Sequence, residues 1–285
     1  MVRCYHISRR GPALGSAGAD RRLPLRPVRV ATFNVNGIRA AYRRGMRDWL
    51  HAAEPDVLCL QEVRADHADL TALLGPDWHV AHHQSTLAKG RAGVAVATRA
   101  PAAGVRTRLP DSTFDGAGRW VEADLGNLTV ISCYVPKGQE DTPKQQQKYA
   151  FLAAAGARID QLRRQREVLL TGDVNIAHTA NDLKNWRNRQ TRSGFLPAER
   201  AVLDAWTTDL GLVDVVRRLA GDRPGPYSWW SWRGQAFTND TGWRIDYQLA
   251  TPALAGTATG AHTHRAESYD ERMSDHAPVV VEYTW

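Results

Sequence analysis

Long apolar runs are missing from this chain. None approaches the roughly 20 residues that a bilayer-spanning helix requires, so an integral helical membrane protein is excluded. Cysteine is scarce: Cys4, Cys59 and Cys133 are an odd, scattered set, which argues against a disulfide framework or a cysteine-based zinc site. Cys59 and Cys133 lie inside apolar runs and read as core filler. Lysine is scarce too, five among 37 basic residues. The net charge of +7 favours a polyanionic partner through counterion release, but it rests on an arginine bias and carries little weight alone. The arginine-rich segment 1–27 has no continuous apolar stretch and fails the pattern of a secretory signal. It reads as a disordered basic extension, with the protein in the cytoplasm and residues 28–285 as one folded domain.

At 43% apolar and 24% charged residues, the composition is that of a globular protein with a sizeable core. Order begins at Val28, where Val30, Phe33 and Val35 alternate with Thr32, Asn34 and Asn36. That is a strand delivering polar side chains to one face. A helix is expected over Tyr42–Ala52, stopped by Glu54-Pro55. Strands are expected at Asp56–Gln61, Gly93–Thr98, Trp120–Asp124, Leu128–Tyr134 and Glu167–Thr171, then near Tyr227, at Ile245–Leu249 and at Ala277–Tyr283. Helices are expected over about Thr142–Arg166 and near Pro197–Leu210. Strands mixed with helices and hairpin-like pairs, without strict βαβ alternation, predict an α/β domain of packed sheets covered by helices.

In Leu169-Leu170-Thr171-Gly172-Asp173-Val174-Asn175 an apolar strand breaks at glycine and sets Asp173 and Asn175 on one side. A carboxylate and a carboxamide so placed can share a water and a phosphate, and the same residues are what an ordinary turn uses. Ser274-Asp275-His276-Ala277-Pro278 precedes the last apolar strand, and read singly it is a capped turn with a satisfied histidine. Glu62, at a strand exit, has a salt bridge as its plain reading. Asp246 stands in an otherwise apolar strand, where a carboxylate needs a partner. His276 is a natural one, and Asp246 is expected to orient it.

Taken in order, Phe33-Asn34-Val35-Asn36-Gly37, Leu60-Gln61-Glu62, Cys133-Tyr134-Val135-Pro136, Gly172-Asp173-Val174-Asn175, Gly242-Trp243-Arg244-Ile245-Asp246 and Ser274-Asp275-His276-Ala277-Pro278 resemble the motifs of the exodeoxyribonuclease III family of abasic-site endonucleases. They span nearly everything after the extension, and several are common to the wider endonuclease/exonuclease/phosphatase superfamily. The resemblance implies a four-layer α/β sandwich, two packed mixed sheets flanked by helices, with the site at one end. It implies Glu62 as principal ligand of Mg²⁺, with Asn36 and Asp275 as further ligands and Mn²⁺ as a substitute. Asn34, Asn175 and Tyr134 would hold the scissile phosphate, Asp173 would activate water, and His276 with Asp246 would face the phosphate. An oxygen-rich site of this kind suits Mg²⁺.

The resemblance also implies a pocket for a baseless sugar, walled by Trp229, Trp243 and Ile245, into which a flipped abasic residue fits and a normal nucleotide does not. Trp230 and Trp232 read as core. The loop Lys184–Arg192, with Trp186, Arg187 and Arg189, is a candidate liner of the DNA backbone, and a solvated basic loop is its competing reading. Lys137 and Arg91 are weaker phosphate candidates. His82-His83 and His262 with His264 lack carboxylate or cysteine partners at ligand spacing, so zinc is set aside. The expectation is a monomeric nuclease acting on duplex DNA at abasic sites and 3′ ends. The competing enzyme is a general deoxyribonuclease, phosphatase or phospholipase of the same fold, which would have no use for Trp229, Trp243 or the 184–192 loop. A DNA-binding module with a decayed site is the non-catalytic alternative, and the full set of Glu62, Asp173, Asn175, Asp246 and His276 speaks against it.

Overall fold

The computed structural model describes residues 27–284, so the expected extension lies outside the described residues through position 26. Among the described residues twelve strands form two six-stranded sheets. The first has the order β11 (Ala258–Thr263), β12 (Val279–Tyr283), β1 (Val28–Asn34), β2 (Val57–Gln61), β4 (Val94–Thr98), β3 (His79–His83). The second runs β5 (Val105–Arg106), β6 (Trp120–Leu125), β7 (Leu128–Tyr134), β8 (Glu167–Asp173), β10 (Asp246–Ala250), β9 (Val213–Asp214). Within each sheet one neighbouring pair is parallel, β1 with β2 and β7 with β8, and the other pairings are antiparallel.

Alternation along the strands sorts the side chains into layers. Val30, Cys59, Val96, Val130, Leu169 and Val281 meet between the sheets. Ala31, Phe33, Leu58 and Leu60 point outward, under α1 (Ile38–Arg43), α2 (Met46–Ala53) and α3 (His67–Leu74). On the other side Ile131, Cys133, Val168 and Leu170 pack under α4 (Pro143–Arg163) and α5 (Pro197–Thr208). Helix, sheet, sheet, helix is the four-layer sandwich that the motifs implied. Two short helices, α6 (Val215–Ala220) and α7 (Pro252–Gly256), complete it. Cys59 and Cys133 are free, buried thiols in these cores, as read from the sequence.

Two expectations need correction. The single helix over Tyr42–Ala52 is two, because Arg44 leaves the helix and Gly45 sits at φ +95°, a left-handed conformation that glycine adopts without cost. No strand forms near Tyr227; Trp229 makes isolated bridges to Trp243 and His276 instead. Sequence alternation also overlooked α3, capped by the Asp66 carboxylate accepting from Asp69 N, and the edge strands β3 and β11.

Toward one end of the sandwich the space between the sheets turns polar. The Thr32 hydroxyl and Gln61 are hydrogen-bonded, Gln61 Nε2 donates to Ser132 Oγ at 2.9 Å, and Ser132 Oγ donates to the Leu60 carbonyl. Buried polar groups that satisfy one another join the sheets without an unpaired donor. They lead directly to the cluster of charges beyond the strand ends.

Candidate active site

The parallel pairs β1/β2 and β7/β8 end at the same edge of the sandwich, and parallel strands commonly present ligands at their carboxyl ends. Asn34 closes β1, Glu62 follows β2, Tyr134 closes β7 and Asp173 closes β8. Register then does the rest: Tyr134 and Asp246 stand opposite Asp173 on its two flanks. Because β10 and β12 run antiparallel to these strands, Asp246 and His276 arrive at the same edge from their amino-terminal ends.

At this edge the backbone is locally left-handed. Asn36, Glu62 and Asn175 have φ of +46°, +48° and +54°. Asparagine tolerates that region; glutamate is strained in it, and such strain gathers at functional sites. Gly172, at φ +128°, is obligatory in another way, since a Cβ there would lie 2.0 Å from the Cys133 carbonyl oxygen.

Hydrogen bonds tie these residues into adjoining groups. Asn34 Nδ2 donates to Glu62 Oε1 at 3.0 Å and to Asp173 Oδ2 at 2.9 Å. Asp173 Oδ1 accepts from Asn175 N at 2.9 Å, and Asn175 Nδ2 donates to the Val135 carbonyl. His276 Nδ1 lies 2.8 Å from Asp246 Oδ2, which also accepts from Ser228 Oγ at 2.6 Å. His276 Nε2 is 3.7 Å from Asp173 Oδ2. On the far side Asp275 accepts from Asn36 Nδ2 at 2.8 Å and from Trp229 Nε1 at 3.0 Å. The expected pairing of Asp246 with His276 is present.

Burial drives the electrostatics. Asp173 is completely buried, and desolvation pushes its carboxyl up to about 7 against the pull of His276. For His276 burial works downward, but Asp246 and Asp173 outweigh it and raise the imidazole to about 9. Burial also opposes ionisation of Glu62, yet Arg64, Asn34 and His276 hold it below the ordinary carboxylate range. Burial, with Glu62 and Asp173 nearby, keeps the Tyr134 hydroxyl protonated, and the Arg119 guanidinium lies 4.5 Å from the centre of its ring.

The donor set fits a hard divalent cation. Glu62, Asn34, Asn36 and Asp275 offer oxygen, and among the described residues no group of three or more histidines, cysteines or carboxylates is arranged to hold a metal. One or two carboxylates with amides, leaving room for water and phosphate oxygens, is the manner of Mg²⁺. The guanidinium of Arg64 bonds to Glu62 and neutralises it on that side.

Beside this cluster opens a cavity of about 390 Å³, whose lining includes Lys137, Asn175, Arg189, Trp229, Trp243 and Ile245. Trp229 and Trp243 meet edge to face with centroids 6.1 Å apart, and Lys137 Nζ stands 6.0 Å from the Trp229 ring. Trp186 is half-buried against the cluster of Ala177, Leu183, Phe195 and Ile245 behind the wall, and the exposed Arg187 lies over its ring rather than in the cavity. Sequence reading missed Arg64, Ser228 and the buried Lys148 and Glu199. Lys148 and Glu199 gave a signal: each shares an i, i+3, i+4, i+7 apolar stripe, with Phe151, Leu152 and Ala155 for Lys148 and with Val202, Leu203 and Trp206 for Glu199, where a charge is out of place.

Residues 31–276 match the model of the endonuclease/exonuclease/phosphatase family. The exodeoxyribonuclease III of Haemophilus influenzae is 31% identical over 276 residues, covering 90% of this chain and all of that protein. An AP endonuclease structure from Archaeoglobus fulgidus superposes with a TM-score of 0.79 at 28% identity, over 90% of this chain and 100% of the other. A Neisseria structure described as a 3′ phosphatase bound to a product DNA hairpin gives 0.80 at 29%, with the same coverage. With fold, strand-end residues and overall similarity in agreement, this chain belongs to the endonuclease/exonuclease/phosphatase family.

Proposed function

We propose that this protein is a divalent-metal-dependent DNA-repair nuclease that hydrolyses phosphodiester bonds 5′ to abasic sites and at 3′ ends, with Mg²⁺ as the working ion and Mn²⁺ able to replace it. The observation that carries the reading is the buried Asp173 carboxylate, hydrogen-bonded on both oxygens, one of them to the N–H of Asn175, which lines a cavity walled by two tryptophans. Relatives named exodeoxyribonuclease III and AP endonuclease, and one solved with DNA, support it.

In this reading Asp173 takes the proton of the attacking water. A carboxyl raised to about 7 is matched to that task near neutral pH. His276, with its Nδ1 proton directed at Asp246, keeps Nε2–H for a phosphate oxygen, and as an imidazolium it balances charge developing there. Asn175, which keeps one Nδ2 hydrogen beyond its bond to Val135, and the protonated Tyr134 add neutral donors around the same oxygens, while Asn34, with both Nδ2 hydrogens on Glu62 and Asp173, acts on the phosphate through those two carboxylates. Glu62, with Asn36 and Asp275 beside it, would hold the divalent ion, whose chemistry at this position is Lewis-acid polarisation of the phosphoryl group. Lys137 and Arg189 at the cavity mouth attract the DNA backbone. The rings of Trp229 and Trp243 with Ile245 receive a sugar that has lost its base and exclude an intact nucleotide.

The test is end-labelled duplex DNA carrying one abasic-site analogue, incubated with the purified protein and Mg²⁺ or EDTA, beside an undamaged duplex. Metal-dependent incision 5′ to the lesion supports the reading. Absence of incision on both duplexes would move the assignment to a phosphatase on the same fold.

A further inference from the structure

At the wall of the cavity, with Lys148 among the residues lining it, lies an ion pair that the hydrolytic chemistry does not itself use. Lys148 of α4 and Glu199 of α5 are both completely buried, with Nζ 2.6 Å from Oε1. Such a pair returns little net stability, because stripping water from two charges costs several kcal/mol per ion, and apolar side chains of similar volume often do as well. What distinguishes this one is where its other bonds go. Lys148 Nζ also donates to the Asn175 carbonyl at 2.8 Å. Glu199 Oε1 accepts from Gln145 Nε2 and Ser193 Oγ, both at 2.9 Å, and Oε2 accepts from Gly194 N at 2.6 Å and Leu196 N at 3.1 Å.

The pair therefore joins two loop segments that have no sheet to hold them. On one side is Asn175, left-handed at φ +54°, whose N–H orients Asp173 Oδ1. On the other is Gly194, whose carbonyl accepts from Ala177 N at 2.8 Å and which is packed so closely on Trp243 that a Cβ there would come within 2.9 Å of the ring. One charge pair spans the carboxylate side and the aromatic wall of the same cavity. Reacting groups on loops keep their geometry only when a supporting layer fixes them.

We propose that Lys148 and Glu199 are positioning residues of the hydrolytic site: the pair sets the Asn175 backbone, and with it Asp173, and fixes the Gly194 segment against Trp243. The proposal rests on the reading of Asp173 and Asn175 given above. A displacement of about 1 Å in such a site can cost about 10²-fold in rate. The Lys148→Met/Glu199→Leu double variant leaves no unpaired charge but takes the acceptor from Gln145 Nε2, Gly194 N and Leu196 N, so it is expected to unfold cooperatively at a lower Tm than the wild type and, where folded, to bind abasic duplex in EDTA as the wild type does. Its single-turnover incision rate is expected to fall by roughly 10- to 100-fold. Lys148→Met/Glu199→Gln, in which the amide oxygen still accepts from the 193–196 segment, is the second variant if the first does not fold. A folded double variant that cuts at the wild-type rate would overturn the proposal. So would failure of both variants to fold, which would make the pair a folding element. If the wild type itself does not cut, it is the functional reading that falls.

Discussion

Asp173→Asn separates the chemistry from the architecture. The substitution keeps the shape of a completely buried side chain but offers one acceptor oxygen where two are used, by Asn175 N and by Asn34 Nδ2, each at 2.9 Å. In either orientation the new amide nitrogen faces a donor, and a buried donor left without its acceptor costs about 1–3 kcal/mol. Against this, burial makes the native carboxylate costly to keep ionised, and the amide removes that cost. The two effects oppose each other, so the variant should remain folded with a Tm close to wild type. Catalysis has no such compensation. A positioned general base contributes about 10² to 10⁴ in rate, which at ~1.36 kcal/mol per tenfold is about 3–5 kcal/mol of barrier. The assay is single-turnover incision of end-labelled abasic duplex at saturating enzyme, with affinity measured separately by fluorescence anisotropy in EDTA. The expected result is unchanged affinity with incision reduced by about 10² or more. A variant that binds and cuts like the wild type would refute the role of Asp173 as the residue that activates water.

Glu62→Gln removes the carboxylate best placed for a hard cation, so half-saturation by Mg²⁺ should move to severalfold higher concentration in both calorimetry and incision; an unshifted Mg²⁺ titration would remove Glu62 from the metal site. Trp243→Ala opens one wall of the cavity, and the ratio of incision at abasic over undamaged duplex should fall by about tenfold, roughly 1.4 kcal/mol of discrimination, before the maximal rate changes. Equal ratios would place recognition elsewhere. Arg244→Met leaves Asp214 without Arg244 and Asp182 with Arg217 alone, at a cost of about 3–5 kcal/mol in denaturant unfolding. Burial works against ionisation of Asp182, but Arg244 and Arg217 hold its carboxyl well below the usual range. A depressed folded-state value means that its stabilisation is present above the unfolded value of 3.8 and is lost as pH falls below it. The Tm gap between wild type and Arg244→Met should therefore be largest near neutral pH and shrink in acid, and a gap independent of pH would contradict this account.

Much of the architecture was legible in the chain because strand periodicity is local. Leu128–Tyr134 was read with its observed bounds, and the near-continuous apolar segment ending at Gly172-Asp173 marked β8 and its carboxylate. Asp246 betrayed itself as a charge in an apolar strand, and its partner His276 was inferred from the need to satisfy it. Arg64 and Ser228 gave no such sign, since their contacts with Glu62 and Asp246 depend on how loops close and not on any local pattern. The break at Gly45 was missed because the apolar stripe runs on across it.

The sequence by itself determined most of the central strands and the long helices, which residues are apolar enough to be buried, and which polar residues stand at strand ends, because those properties arise between near neighbours. Tertiary structure alone decided that β1/β2 and β7/β8 end at one edge, that Asn34 bridges Glu62 to Asp173, and that Lys148 and Glu199 stand behind Asn175. Those contacts join residues 28, 139 and 51 positions apart, and long-range proximity is set by packing and register, which no local pattern encodes.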